Sequence, residues 1–234
     1  MIGWGLFTVA IVGLALITWG AFRIQANFFV KATHRGPLAN RKIALTFDDG
    51  PHPTYTPQVL ELLRRYQAKA TFFCIGKNVE QHPDLVRQAH QAGHAVGNHS
   101  YTHAGTIDFH LQQGWLDELQ QTDRAIEQAI GHRPAFFRPP YGVTTPHLAG
   151  AVRASGHHVI GWWVRPYDTL KSRTPDRIAR TILRKVKPGA IILLHDTHDR
   201  IVPVLEQLLP ELHQRGYALV TVAELIDRHA YTET

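Results

Sequence analysis

Beyond Lys42 the chain alternates short apolar runs with longer segments in which apolar residues recur every three to four positions. The short runs predict strands at 42–47, 70–75, 95–98, 135–138, 158–163, 190–195 and 217–221. Between them "TPQVLELLRRYQ", "PDLVRQAHQA", "WLDELQQTDRAIEQAI" and "RIVPVLEQLLPELHQRG" carry helical periodicity. In the last of these Val202, Leu205, Leu208, Leu209 and Leu212 form one stripe, which is core. Strands alternating with amphipathic helices predict an α/β domain on a parallel sheet, here over residues 41–228. Seven such units predict a distorted, incomplete TIM-like (β/α)7 barrel. The competing open, doubly wound sheet is disfavoured because the chain has no G-x-G-x-x-G fingerprint.

The beginning of the chain has a different pattern. Residues 2–22, "IGWGLFTVAIVGLALITWGAF", contain no charge, and about twenty apolar residues suffice for a membrane-spanning helix. The expectation is one transmembrane helix or signal anchor. A cleaved signal peptide fits less well, since a basic n-region and an A-x-A site are both missing. Residues 23–40 then read as a juxtamembrane tether broken by Gly36-Pro37. Arg23, Lys31, Arg35, Arg41 and Lys42 precede the first acidic residue, Asp48. That asymmetry suits an anionic membrane surface and, by the positive-inside rule, a cytoplasmic domain.

Composition adds little to this picture. A hydrophobic fraction of 44% in 234 residues is that of a folded domain, and the single Cys74 excludes an internal disulfide framework. The net charge of +6 comes without a lysine-arginine block, so no nucleic-acid partner is expected, nor an obligate protein partner.

Candidate chemistry gathers at the predicted strand ends, where parallel α/β folds carry their functional groups. The first strand ends in Asp48-Asp49, the third in "NHSYTH", the fourth in "RPPYG", the fifth runs toward "RPYDT" and the sixth ends in "LLHD". Single pieces have ordinary explanations: Asp-Gly-Pro is turn chemistry. From 16 histidines about one His-x-x-x-His pair is expected by chance. The chain has two such pairs. His90/His94 flanks Gly93 at a helix end and is assigned no metal. His99/His103 lies past a strand on the same edge as the aspartates, and two imidazoles with one carboxylate leave a fourth position open, as in catalytic zinc sites. With Asp49 on the metal, Asp48 is free to act as a base, oriented by Arg138. His195 is placed as the acid, its tautomer fixed by Asp168. Base, acid, metal site and orienting residues describe metal-assisted acyl hydrolysis.

With these residues in place, the chain resembles the polysaccharide deacetylases, carbohydrate esterase family four, or NodB homology domain. The likeness covers about 42–225 and rests on "TFDDGPHP", "KATFFCIG", "GHAVGNHSYTH", "FRPPYG" and "IILLHD" in that order. It implies a hydrolase that removes N-acetyl groups from a cell-envelope polysaccharide, such as peptidoglycan, a chitin-like polymer or poly-N-acetylglucosamine. One divalent ion is implied, Zn²⁺ or else Co²⁺ or another, on Asp49, His99 and His103. The resemblance makes Asp48 the base, Arg138 its restraint and His195 the acid, with Ser100 steadying the ligand loop. It gives Tyr141 a backbone N–H for the oxyanion and Leu193 a place against the acetyl methyl. Trp163, beside Trp162, is a candidate sugar-stacking face.

The family's D-x-x-D-W motif departs here to "RPYDT", with Arg165 and Thr169 in place of the first aspartate and the tryptophan; Asp168 is kept. The polymer is therefore open. An O-acetyl ester, a lipid-linked sugar and a non-catalytic, membrane-anchored glycan-binding module are the alternatives. The resemblance also implies an extracytoplasmic domain, against the positive-inside reading.

Overall fold

The computed structural model describes residues 2–232, and side chains from residue 11 onward. Eight short parallel strands are built in chain order: β1 Ala32–Thr33, β2 Lys42–Asp48, β3 Ala70–Cys74, β4 Ala95–Asn98, β5 Phe136–Phe137, β6 His158–Ile160, β7 Ile191–His195 and β8 Ala218–Leu219. Their order across the sheet is β1-β6-β5-β4-β3-β2-β7, with β8 paired to the start of β2. The sheet curls until its ends meet. Val164, just past β6, bridges to Ile192 of β7, and Arg35, just past β1, bridges to Ala190 immediately before β7. The result is the expected distorted, incomplete barrel, but its seven-strand path takes in β1, which the apolar pattern did not predict, while the strand expected at 217–221 is the short β8 off that path.

Strand alternation divides the core. Ile43, Leu45 and Phe47 of β2 point outward into a cluster with helices α2 (Tyr55–Arg65), α7 (Pro175–Lys185) and α8 (Ile201–Gln214). Ala44 points inward, with Phe73, Phe136, Ile160 and Ile191, onto Val222 and Leu225 of α9 (Val222–Ile226). This plug closes the amino end of the barrel. The α8 stripe is fully buried at Leu205, Leu208, Leu209 and Leu212. Helices α3 (Gly76–Gln81), α4 (Pro83–Gln91), α5 (Gln112–Ile130) and α6 (Pro146–Ser155) complete the outer layer. Their boundaries follow local chemistry: Thr145 caps α6 by accepting from the Leu148 N–H, and Gly156 ends it at φ 76°.

Two expectations for the start of the chain are corrected. Among the described residues no helix is long and apolar enough to cross a membrane, so the single-pass membrane protein and its membrane partnership are withdrawn. Helix α1 runs Ile2–Phe22. The part of it with described side chains, 11–22, is only about half of the roughly twenty residues that a span requires; the rest of the expected span lies outside the described side chains. The end of α1 is docked on the domain, where the Thr144 N–H donates to the Ala21 carbonyl at 2.9 Å. The expected tether at 23–40 is also part of the fold. It supplies β1, and its Ile24, Val30 and Ala32 are buried with Trp115, Phe137 and Leu148. Its basic residues hid a strand of two residues from the apolar pattern.

Candidate active site

The centre of the sheet sets the site. β2 lies between β3 and β7, and its last residue, Asp48, is the register partner of both Phe73 and His195. Inward-pointing positions of β2 rise from Ala44 through Thr46 to Asp48, from apolar plug to chemistry. Arg138, at the end of β5 and fully buried, fills the space between. Its Nη1 donates to Asp48 Oδ1 at 2.7 Å and to Thr46 Oγ1 at 2.6 Å. Its Nε donates to the Ile160 carbonyl at 3.1 Å and Nη2 to the Gly161 carbonyl at 2.9 Å. The Phe73 ring lies 4.2 Å from its guanidinium carbon. Burial lowers the Arg138 pKa, and the neighbouring Asp48 charge acts in the opposite sense. A guanidinium so enclosed has one orientation, and it aims one carboxylate oxygen.

Asp49 follows with φ 73°, a conformation that its side chain disfavours. Ser100 (φ 67°), His103 (φ 50°), Tyr141 (φ 58°) and Tyr167 (φ 60°) share it. These five account for most of the non-glycine residues with positive φ among those described, and all lie on the carboxyl edge of the barrel. Such strain persists where the surroundings over-determine it. Gly50 has its own reason: a Cβ there would fall 2.5 Å from Asp196 Oδ1. Burial raises Asp196 to about 7, beneath this turn, where it accepts a hydrogen bond from Thr56 Oγ1.

Asp49, His99 and His103 are brought together, their ligand atoms within 4.8 Å of one another. Whether they suit a cation can be judged from their partners. His99 Nδ1 is 2.7 Å from the Arg138 carbonyl, which can only accept, so Nδ1 carries the hydrogen and Nε2 presents a lone pair. That lone pair faces Asp49 Oδ1 at 3.3 Å, and His103 Nε2 faces the same oxygen at 3.3 Å. Asp49 Oδ1 is buried and has no hydrogen-bond partner among the described residues. His99 Nε2 and Asp49 Oδ1 are acceptors aimed at one another, and with His103 Nε2 converging on the same oxygen the three suit a cation between them. For zinc bonds of about 2.0–2.1 Å, a tetrahedron has edges of roughly 3.3–3.4 Å, and both observed separations match. Burial raises the Asp49 pKa, while the facing His99, His195 and His103 imidazoles lower it by more, to well below the carboxylate range. Burial first, then His99, lowers His103.

The ligand loop is tied down by residues that the sequence pattern did not single out. Glu118, buried on α5, accepts from the Tyr101 and Thr102 N–H groups at 2.7 and 2.8 Å and from Thr102 Oγ1 at 2.7 Å. Asn98 Oδ1 accepts from the Ser100 N–H at 2.9 Å. Ser100 Oγ accepts from the His103 N–H at 3.2 Å, the steadying expected of it. A signal for Glu118 existed: it is a carboxylate on the face of α5 that buries Trp115, Leu119 and Thr122.

Across the cavity His195 ends β7. Its Nδ1 is 3.0 Å from Asp168 Oδ1, while its backbone N–H donates to Asp168 Oδ2 at 2.8 Å. His198 Nε2 lies 3.2 Å from the same Oδ2, a contact not foreseen. Asp168 is fully buried; burial raises its pKa, but the His195 and His198 contacts hold it well below its ordinary value. For His195 burial acts downward, while Asp168 first and then the Asp48 and Asp49 charges act upward and win, giving about 9. Its Nε2 therefore points into the cavity carrying a proton, 3.9 Å from Asp49 Oδ2.

A cavity of about 260 Å³ joins these groups, lined also by Tyr141, Trp162, Arg165, Thr169 and Leu193. Tyr141 covers His103 with ring centroids 4.7 Å apart. Trp163 is a correction. It faces a separate groove with Arg35 and Lys187, and Trp162, 6% exposed, lines the cavity in its place. The pair lies just past β6, which ends at Ile160, and there the two adjacent tryptophans turn to different sides. His90 and His94 stand apart from the cluster. His94 Nδ1 accepts from the Ala70 N–H at the start of β3, and burial takes it down to about 4.

A family model described as polysaccharide deacetylase matches residues 35–160. The chain is 37% identical over 197 residues to a peptidoglycan-N-acetylglucosamine deacetylase of Bacillus cereus, covering 81% of this chain and 90% of that one. It is 33% identical over 213 residues to a chitooligosaccharide deacetylase of a Bradyrhizobium strain, covering 85% and 96%. A crystal structure of a peptidoglycan N-acetylglucosamine deacetylase with 4-naphthalen-1-yl-N-oxidanyl-benzamide superposes with a TM-score of 0.80. The identity there is 29%, over 85% of this chain and 94% of that one.

Proposed function

The chain belongs to the polysaccharide deacetylase family, and from that membership and the site's geometry we propose that it removes N-acetyl groups from amino sugars of a cell-envelope polysaccharide. The bond cleaved is a carbon–nitrogen bond of a linear amide outside peptides. Asp49, His99 and His103 would hold one divalent cation, and the two-nitrogen, one-oxygen donor set suits Zn²⁺. When bound, the cation polarises the acetamide carbonyl and acidifies water at the site.

The chain's own residues supply the rest. Asp48 takes the proton of the attacking water, one of its oxygens being fixed by Arg138. His195, its Nδ1 held by Asp168, delivers the Nε2 proton to the departing nitrogen. The Tyr141 backbone N–H is assigned to the oxyanion, and Leu193 to packing against the acetyl methyl. Acetate and a free amino sugar are the products. The observation that carries this reading is the buried Asp49 Oδ1, without a hydrogen-bond partner among the described residues and facing two imidazole nitrogens, with a pinned carboxylate and a pinned imidazole beside it. An amide is favoured over an ester because an amine leaves only when protonated, and His195 is raised to about 9, so it carries that proton at neutral pH.

The test is acetate release by zinc-loaded protein from peptidoglycan, chitooligosaccharides, poly-N-acetylglucosamine and acetylxylan. Asp48→Asn should lower release by about 10²- to 10⁴-fold with zinc content unchanged. Wild-type release by that variant would remove Asp48 as the base, and release from acetylxylan alone would remove the amide.

A further inference from the structure

One cation of the cavity has no partner in the reaction. Arg165 lines the same space as Asp49 and His195. Its guanidinium carbon lies 5.3 Å from the Trp162 ring centroid and 5.0 Å from that of Tyr167. Among the described residues it makes no ion pair, unlike Arg138, which is paired with Asp48. The other side chains here carry charges that already have work: Asp48 against Arg138, Asp49 against the imidazoles, His195 against Asp168. An arginine held between two aromatic rings keeps its donor edge free while its position is restrained. Arg165 and Thr169 stand in this wall where the resemblance leads one to expect an acid and a tryptophan.

We infer that Arg165 is a specificity-determining residue that selects substrates bearing a carboxylate on the sugar carrying the acetamide or on its neighbour. The inference rests on the deacetylase reading and narrows its substrate class to an acidic, N-acetylated glycan. A planar guanidinium matches a carboxylate through two parallel hydrogen bonds, a geometry that phosphate shares and a neutral hydroxyl does not. Peptidoglycan strands freed of their stem peptides supply such a group, a lactyl carboxylate on alternate sugars; where the peptide is attached that carboxyl is an uncharged amide, and chitin-type chains supply none.

The experiment compares two N-acetylated oligosaccharides of equal length, one of alternating N-acetylglucosamine and N-acetylmuramic acid and one of N-acetylglucosamine only. A methyl ester of the first is a third arm, and a phosphorylated chitooligosaccharide a fourth. Acetate release by wild type, Arg165→Gln and Arg165→Lys is followed. Arg165→Gln should lower kcat/KM on the free carboxylate about tenfold, leave the neutral chain and the methyl ester within about twofold, and abolish most of the salt dependence of the preference. Arg165→Lys should retain part of it. Equal loss on neutral and acidic chains would overturn the inference by making Arg165 part of the reaction itself, and so would no loss on either. A preference confined to the phosphorylated chain would replace the carboxylate by phosphate and also overturn it. If wild type releases acetate from none of the four, the deacetylase reading fails instead. The inference is then decided by calorimetric binding of the acid and its methyl ester: tighter binding of the acid that Arg165→Gln removes supports it, and equal binding overturns it.

Discussion

Asp168→Asn separates holding His195 in place from holding its proton. The amide that replaces the carboxylate keeps the size of the side chain and an oxygen able to accept from the His195 N–H, the contact made now at 2.8 Å. It removes the charge that outweighs burial. His195 stands at about 9 against an ordinary 6.5, and without the Asp168 carboxylate burial is opposed only by the more distant charges of Asp48 and Asp49, so its value should fall back toward 6.5. That loss of about 2.5 units corresponds to about 3 kcal/mol of differential stabilisation of the imidazolium. The sign follows from the mechanism: the raised pKa keeps His195 protonated below about 9, and activity is lost as pH rises through that value. At pH 8 the protonated fraction should drop from about 0.9 to about 0.03, a loss of roughly thirtyfold, while at pH 6 it changes by less than about twofold. The assay is kcat for acetate release from about pH 5.5 to 10 at constant zinc, with both enzymes fully loaded. A bound cation lowers the His195 value in both proteins alike, so the displacement of the alkaline limb is the quantity to read. A loss of equal size at every pH, with the limb unmoved, would refute the argument and leave Asp168 as a purely geometric support.

Three further outcomes follow from the geometry. His103→Ala should lose stoichiometric zinc by atomic absorption, whereas His90→Ala should retain it, because His90 contacts Tyr231 rather than the ligand cluster; zinc retained by the first would displace the site. Arg138→Met should destabilise the fold by about 3–5 kcal/mol in urea melts, since a buried aspartate is left without its counter-charge, and a change under about 1 kcal/mol would mean that Asp48 finds water instead. Trp162→Phe should raise KM for oligosaccharides several-fold, while Trp163→Ala should leave kcat/KM within about twofold; the reverse order would restore Trp163 to the substrate.

The sequence was legible where one physical pattern repeats. Strands on a parallel sheet all end on the same side, so Asp48, His99, Arg138 and His195 could be assigned to one edge without knowing any distance. Asp48 and His195, far apart in the chain, are register partners on adjacent strands. Patterning failed where a short element has no apolar run to mark it. β1 has two residues among basic neighbours, and its place was read as a tether. It failed again at Trp163, where an adjacent pair read as part of the strand at 158–163 lies just past the end of β6 and left open which ring faces inward.

The restraints behind the visible residues are the least legible, and the reason is range. Arg138 reaches Asp48 across 90 positions and Glu118 holds a loop 16 and 17 residues before it; the first was legible only as a role at a shared sheet edge, and the second only as a carboxylate on the buried face of α5, with no sign of the loop it holds. Yet these contacts carry the division of labour between the two aspartates. Asp48 ends a strand with regular geometry and is met by a buried guanidinium; Asp49, one residue on, is turned to φ 73° and meets two imidazole nitrogens instead. A single peptide step thus gives adjacent and identical side chains different partners. The positive φ that achieves it is held by a barrel whose interior arginine and plugged base leave the turn no other course.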